Sequence, residues 1–333
     1  MTREIERARV VFLAPGLDAF IKTDLQILQK HFDVHPVVWH GRSGLPRLTS
    51  KIISADAVFS WFAGDHSATA SILASIRGIP SLLVSGGVDV AAMPEIGYGA
   101  MAEGMRKRLP TKLALNFSTL VLAFSDFSRN EISRAHAPRD LRTMYLGVDT
   151  HRFMPAEKKE EIVLTVGQVS KGNLKRKGLR AFVDAARRLP RFNFILAGRR
   201  VDDSFERIKT SAPPNLNLTG YLPDGELAGL IARSKVYVQA SAHEGFGVAL
   251  AEAMSCGCIP VVSDRGALPE VVGDAGLSVK YGDDEGLAQA INQAMTLPSS
   301  EGLKARERVQ RNFSLEKREA GLKAAVEALV LGR

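Results

Sequence analysis

Cysteine is scarce: the chain of 333 residues has two, Cys256 and Cys258. One residue apart in an apolar helix-to-strand turn, they are too few for a four-ligand zinc site, and a disulfide between them would be strained. They read as small buried residues of a protein in a reducing compartment. Long apolar runs are missing too: nothing approaches the ~20 residues that span a bilayer. The opening residues, MTREIERARVVFLAPG, put charges where a secretory signal needs its apolar core, so a cytoplasmic location is expected. Aromatics make up 7% of the chain. None interleaves the basic loops, and no RNA-recognition signature is present, which counts against a nucleic-acid module. The first βα turn, Ala14-Pro15-Gly16-Leu17-Asp18, is not G-x-G-x-x-G, so a simple dehydrogenase fingerprint is absent. Short-period repeats and low-complexity segments are absent as well.

What is present is a globular composition, 45% hydrophobic and 24% charged, on a chain long enough for two domains. The formal net charge of +8 points to an anionic partner: a nucleotide, a nucleic acid or an acidic membrane surface. Strand, helix and strand alternate at short spacing, which predicts parallel doubly wound sheets. Val10–Ala14, Val34–Trp39, Ala55–Phe62, Ser81–Val84, Ser118–Phe124 and Leu141–Leu146 read as strands, with helices at Ala19–His31 and Ser67–Arg77. Ser125 supplies N-cap chemistry for a further helix. Gly147–Phe153 and Pro155 read as a linker, which sets the domains at 1–155 and 156–312. Alternation then restarts with strands at Ile162–Val166, Phe192–Ala197, Val236–Gln239, Ile259–Val262 and Leu277–Lys280. Gly167–Lys177 reads as a polar, basic loop. Residues 313–333 form a terminal helix expected to pack back toward the first domain. The fold class is α/β, two Rossmann-like halves.

Two stretches carry chemistry. Ser241–Ser263, SAHEGFGVALAEAMSCGCIPVVS, has a Gly245-Phe246-Gly247 pivot, an apolar helix from Val248 to Met254 and a buried strand. Glycines tolerate close approach, and the helix start offers free N–H groups and partial positive charge, which together suit a phosphate. Glu244 precedes the helix and Glu252 lies about one turn inside it, and ionised carboxylates suit hydroxyl-rich ligands. The same residues also fit an ordinary turn and a helix dipole. The other stretch, Gly167-Gln168-Val169-Ser170-Lys171-Gly172-Asn173-Leu174-Lys175-Arg176-Lys177-Gly178, places four cations just before a helix, again an anion site. In the first half, GGVDVAAMPEIGYG follows a strand at the edge where open α/β sheets bind ligands. Beyond it Arg106, Lys107, Arg108 and Lys112 stand against Glu103, read either as a solvated helix face or as a contact with an anionic membrane.

EGFGVALAEAM resembles the E-x7-E signature of retaining, group 1 (family 4) glycosyltransferases with the GT-B fold. The resemblance spans most of the chain, with its specific motifs in the second half. It implies a nucleotide-diphosphate sugar (UDP-, GDP- or another) as donor, bound between two facing domains, and no cofactor or metal. By the same resemblance Glu252 holds the ribose and Glu244 lies near the transferred sugar. Phe246, Gly247, Val248 and Ala249 approach sugar and phosphates through their backbone. Lys177 matches the diphosphate lysine, Gly16 the first-domain glycine loop and Tyr221 the turn near the nucleobase. Gln168 stands where the family carries a diphosphate arginine, leaving Lys171 or Arg176 to compensate. The family's first-domain histidine is missing from Ser85-Gly86-Gly87-Val88-Asp89. His66 is a substitute, and Asp89 is either a donor contact or a turn carboxylate bonding its own loop. Catalytic roles fall to Glu244 and Lys177, with a glycan, lipid or small-molecule hydroxyl as acceptor. An NDP-sugar epimerase or a phosphorylase would share the architecture, although no pyridoxal phosphate lysine is identifiable.

Overall fold

The computed structural model describes residues 7–332. Two compact units are present. The first runs to Leu146 and includes the residues from Glu316 onward; the second is Gly147–Leu315.

In the first unit, six strands alternate with five helices: β1 (Arg9–Ala14), α1 (Ala19–His31), β2 (Asp33–Val38), α2 (Leu45–Ile53), β3 (Ala57–Trp61), α3 (Asp65–Ile76), β4 (Ser81–Ser85), α4 (Met105–Phe117), β5 (Leu120–Ala123), α5 (Asp126–Ala135) and β6 (Leu141–Thr143). The strands pair in parallel in the order β2-β1-β3-β4-β5-β6. β3 and β4 are fully buried, the pattern of strands covered by helices on both faces. Ser125 caps α5 by accepting the Ser128 N–H.

The second unit repeats the plan with β7 (Glu160–Val166), α6 (Lys171–Arg176), α7 (Leu179–Arg188), β8 (Asn193–Ala197), α8 (Ser204–Ser211), β9 (Leu216–Gly220), α9 (Asp224–Arg233), β10 (Ser234–Gln239), α10 (Val248–Ser255), β11 (Ile259–Ser263), α11 (Leu268–Val272), β12 (Leu277–Val279), α12 (Asp284–Thr296) and α13 (Ser299–Asn312). Its parallel order is β12-β11-β10-β7-β8-β9. Val163, Phe194, Leu196, Val236 and Ile291 fill its core, with Phe182 edge-on to Phe194 at 5.3 Å. Each such side chain removed from water contributes roughly 1.5–3 kcal/mol. The final helix, α14 (Leu315–Leu331), carries the chain back into the first unit. There Arg318 is buried on Asp24, and Glu319 meets Lys30 and His31.

Three readings change. The division falls at Leu146/Gly147 rather than at 155/156, because the supposed linker is bound into the second unit. Val148 donates to Phe313 O at 2.8 Å and accepts from Leu315 N at 2.9 Å, while Arg306 bonds the carbonyls of Thr150 and Phe153. The Gly167–Lys177 stretch is not all loop: Ser170 caps α6 by accepting the Asn173 N–H. A separate helix, α13, precedes the terminal one; its polar surface hid a buried stripe of Gly302, Ala305 and Val309.

Cys256 and Cys258 are buried and unlinked. Burial pushes the Cys256 thiol up to about 12, so it is no nucleophile. Beside them Lys159 reaches inward and donates to the carbonyls of Ala232, Ser234 and Cys256 at 2.7, 2.9 and 2.6 Å. Among the described residues no helix is long and apolar enough to cross a membrane.

Candidate active site

In the second sheet the strand order reverses between β7 and β10, and both run in the same direction. Ligands of open α/β sheets bind at the carboxyl edge beside such a reversal, where the loops diverge and leave a crevice. The connection after β7 carries Gln168 in its loop and Lys177 at the C-cap of α6; the loop after β10 carries Glu244. They meet there.

Glu244 is buried. Its Oε1 accepts from Gln239 Nε2 at 2.7 Å, Ser241 Oγ at 2.9 Å and Lys177 Nζ. Burial by itself raises this carboxyl, but the Lys177 and Arg176 charges with the Lys177 and Ser241 hydrogen bonds outweigh it and hold Glu244 below its ordinary range. It is therefore ionised at neutral pH, and Lys177 is fixed by it at the mouth of the crevice.

The approach of the two loops depends on Gly178. Its φ is +66°, and a Cβ there would lie 2.0 Å from Ala240 O. The backbone contact that this permits continues in the Ala242 N–H to Arg176 O bond, at 2.7 Å. Gly247 has φ +98° and forms the N-cap of α10, so the first N–H groups of that helix open onto the Glu244 loop. The Phe246 side chain points away from any ligand: it is 2% exposed and packs edge-on against Phe313 at 5.4 Å. Only its backbone is available. Val248 and Ala249, the first helical residues, are half-buried.

A cavity of about 470 Å³ continues along this edge, lined among others by Gln168, Asn173, Arg176, Lys177, Arg199 and Tyr221. Asn173 was not legible as a site residue. Its Oδ1 accepts from Arg176 Nη2 at 2.8 Å and Nε at 3.1 Å, and its Nδ2 donates to Gln168 O at 2.8 Å. Arg176 is thus aimed into the cavity that Gln168 borders. Lys171 is not: it lines a separate depression with Arg207 and Asp203. Gln239 was equally invisible in the sequence, being a polar residue inside a strand whose partner is five positions on.

Glu252 is half-buried on α10, and no described residue hydrogen-bonds its carboxyl. Burial raises it from an ordinary 4.5 to about 7, with the Arg152 charge opposing and Asp224 reinforcing. Arg152 and Asp224 face one another at 3.4 Å. Because the unfolded chain holds the stronger acid, ionisation of Glu252 disfavours the free fold as pH rises from about 4.5 to about 7. A ligand whose hydroxyls donate to this carboxylate reverses that preference. If Glu252 receives a nucleotide's hydroxyls, as the resemblance implies, nucleoside diphosphate affinity should fall about tenfold from pH 7.5 to 6, beyond the change due to the phosphate's own protonation. Titrations of the native chain and Glu252→Gln check this: the variant should bind more weakly at pH 7.5 and lose the extra slope. An unchanged slope would remove Glu252 from the hydroxyl site.

The first-half residues Gly16, His66 and Asp89 lie in the other unit. Its strand order reverses between β1 and β3, and a cavity of about 460 Å³ at that edge is lined by Pro15, Phe62, His66, Asp89, Arg106 and Lys107, among others. His66 is 4% exposed with Nε2 on Trp61 O at 2.7 Å. The Asp89 carboxylate binds its own surroundings: Ser85 Oγ at 2.6 Å, and the N–H groups of Ala63 and Gly87, each at 2.8 Å. That is the turn-carboxylate alternative. Gly16 sits in the β1–α1 turn with open space where a Cβ would be. Phe62 holds φ +62°, a left-handed conformation costly for an aromatic, with its ring packed on Phe20, Trp61 and Phe124. Sequence patterning gave no sign of it.

Two units, each a six-stranded parallel sheet surrounded by helices, form the architecture of GT-B proteins. The chain superposes on Anabaena HepE in complex with UDP with a TM-score of 0.78 and 17% identity, covering 96% of this chain and 100% of that one. Residues 148–313 match the family model for glycosyl transferases group 1, and the chain belongs to that family. It is 32% identical over 201 residues to the O-antigen chain mannosyltransferase B of Escherichia coli, covering 55% of this chain and 53% of that protein. It is 30% identical over 196 residues to the GDP-mannose:cellobiosyl-diphosphopolyprenol alpha-mannosyltransferase of Xanthomonas campestris, covering 56% and 51%. The matched segment thus spans about half the length of these curated relatives.

Proposed function

We propose that the chain transfers a sugar from a nucleotide-diphosphate donor to an acceptor hydroxyl, with retention of configuration and without a divalent metal. The observation that carries this reading is the ionised, buried Glu244 bound to Lys177 beside Arg176, at the reversal of the second sheet. Loss of the nucleotide diphosphate builds negative charge on phosphate oxygen and positive charge on the sugar. Lys177, Arg176 and the N–H groups that open α10 are placed to stabilise the first, and being preorganised they need no rearrangement as charge develops. Glu244 orients the sugar and fixes Lys177. Glu252, beside Asp224, receives the ribose hydroxyls. No side chain is assigned as general base: a donor phosphate oxygen takes the acceptor proton.

Family membership and the mannosyl transfer named for both relatives put mannosyl nucleotides first among donors. The acceptor is a glycan or lipid-linked hydroxyl. Exposed Met105 and Leu109 share α4 with Arg106, Lys107, Arg108 and Lys112, a surface suited to peripheral contact with an anionic cytoplasmic membrane face. Co-sedimentation with phosphatidylglycerol vesicles should then be lost on changing Arg108 and Lys112 to Gln; retention by the variant would discard the contact.

A donor panel scored for released nucleoside diphosphate, with the product's anomeric configuration read by NMR, tests the main reading. Turnover by one donor, undiminished by chelator and with retained configuration, is expected. No turnover and no binding with any donor would refute it. Conversion of the donor without acceptor would favour the epimerase alternative.

A further inference from the structure

The Glu244 carboxylate is loaded on one side only. Gln239 Nε2, Ser241 Oγ and Lys177 Nζ all donate to Oε1. Oε2 accepts from no described residue, and the side chain keeps 10% of its surface open. The donors differ in stiffness. Lys177 offers a rotatable ammonium on a four-carbon stem, which supplies charge but little direction. Gln239 ends β10, between β7 and β11, and is 3% exposed. Its own Oε1 accepts from Tyr237 Oη, two residues back on the same face of the strand, at 3.4 Å. The amide fits only one way round. An ionised carboxylate accepts and never donates, so the NH2 group must face Glu244 and the carbonyl must face Tyr237. A strand, a fully buried tyrosine and an amide of fixed polarity together set the angle of the carboxylate.

We propose that Gln239 is a positioning residue for sugar transfer: it turns the Glu244 carboxylate so that Oε1 is held by the protein and Oε2 is left for a substrate hydroxyl. This rests on the transferase reading above. Gln239 also keeps the buried group ionised without cancelling its charge, because it is a neutral donor; a second cation in its place would neutralise the carboxylate. Glu244 thus stays negative and oriented beside the positive charge that builds on the sugar, with no rearrangement needed as the charge grows. Lys177 is free to serve the phosphate side, since the direction of Glu244 does not depend on it.

Around Glu244 stand Lys177 and Arg176 from α6, Tyr237 from β10, His243 in its own loop, Glu252 on α10, and the Asp264–Arg265 pair in the loop that Ala267 N–H ties to Glu244 O. Glu252 is itself raised to about 7, so a rate profile alone would mix two carboxyls. The NMR carboxyl-carbon signal of Glu244, identified by its loss in Glu244→Gln, reads this one group in the full chain without substrate. Gln239→Leu should raise its titration midpoint and lower kcat/KM for the sugar donor about tenfold, the worth of one hydrogen bond to a charged group. Nucleoside diphosphate affinity should stay within about twofold, Lys177 and Arg176 being untouched. Gln239→Glu keeps the shape but sets an acceptor against the carboxylate. It should lose more than Gln239→Leu, the reverse of the order that packing alone would give. Tyr237→Phe combined with Gln239→Leu leaves no orphaned hydroxyl, and should fold and show the same loss. A midpoint unmoved by Gln239→Leu, a Gln239→Glu variant as active as the native chain, or a double variant that does not fold would overturn the assignment and leave the transferase reading intact. A raised midpoint with no turnover of any donor by the native chain would uphold the hold of Gln239 on Glu244 and sink the transferase reading.

Discussion

Lys177→Ala should lose about 10²- to 10³-fold in kcat/KM for the sugar donor, the usual loss for one preorganised electrostatic donor at a developing oxyanion. Two effects act together. On the proposed reading the variant removes a cation placed to meet the departing phosphates, and it leaves Glu244 buried with only Gln239 and Ser241 as its hydrogen-bond partners of those three. With the lysine charge and hydrogen bond gone, only the Arg176 charge and the remaining hydrogen bonds oppose burial, and that carboxylate becomes a weaker acid. Lys177→Arg keeps the charge but not the compact shape, and should recover part of the loss. Lys158→Ala is the control: this lysine is exposed on the segment before β7, and its removal should change turnover by no more than about twofold. Steady-state kinetics with both variants decides the matter. Equal losses would mean that the phosphate site lies elsewhere.

Arg318→Ala should destabilise the first unit by about 3–5 kcal/mol, the cost of leaving one member of a buried ion pair alone. Arg318 is 2% exposed and so is Asp24. Nε and Nη2 bond the two Asp24 oxygens at 3.1 and 2.7 Å, and Nη1 donates to Met144 O at 2.9 Å and Tyr145 O at 3.3 Å. Nearly the whole hydrogen-bonding capacity of the guanidinium is used inside the unit, so truncation orphans a carboxylate and two carbonyls. Replacing both charges, Arg318→Met with Asp24→Leu, should restore part of the stability, because the orphaned carboxylate is gone. The readout is selective: both tryptophans, Trp39 and Trp61, lie in the first unit, so fluorescence in a urea titration follows its unfolding. A midpoint unmoved by Arg318→Ala would show that α14 is only loosely attached to the first unit.

The two examples differ in how much of them is legible in the chain. Lys177 and Glu244 stand in motifs whose glycine, cation and carboxylate spacing point to a phosphate site before any coordinates exist. Gly178 and Gly247 were readable for the same reason, since a helix start beside a ligand demands backbone freedom. Arg318 and Asp24 are 294 positions apart, and neither carries a local signal; an arginine on a polar helix reads as solvated. Asn173 and Gln239 were invisible for a related reason: an amide's role depends on which partner the fold brings to it. Gln168 shows the converse. Its departure from the resembling motif was plain in the sequence, but which cation borders the same cavity was not. Lys171 and Arg176 are equally basic, and only the turn of α6 separates them.

By itself the sequence determined the alternation of buried strands and amphipathic helices, because apolar periodicity records which face of each element must leave water. It also located the glycine- and cation-bearing loops of the proposed phosphate site, because those residues are neighbours along the chain. Only the tertiary structure decided where the units divide, since Gly147–Phe153 could be assigned to the second unit only through bonds to Phe313 and Arg306. It alone brought Gln239, Ser241 and Lys177 onto one oxygen of Glu244, and set Arg199 over Tyr221. The reason is the same throughout: a parallel sheet gathers at one edge loops that the sequence holds twenty to seventy residues apart, and the chemistry is done where they converge.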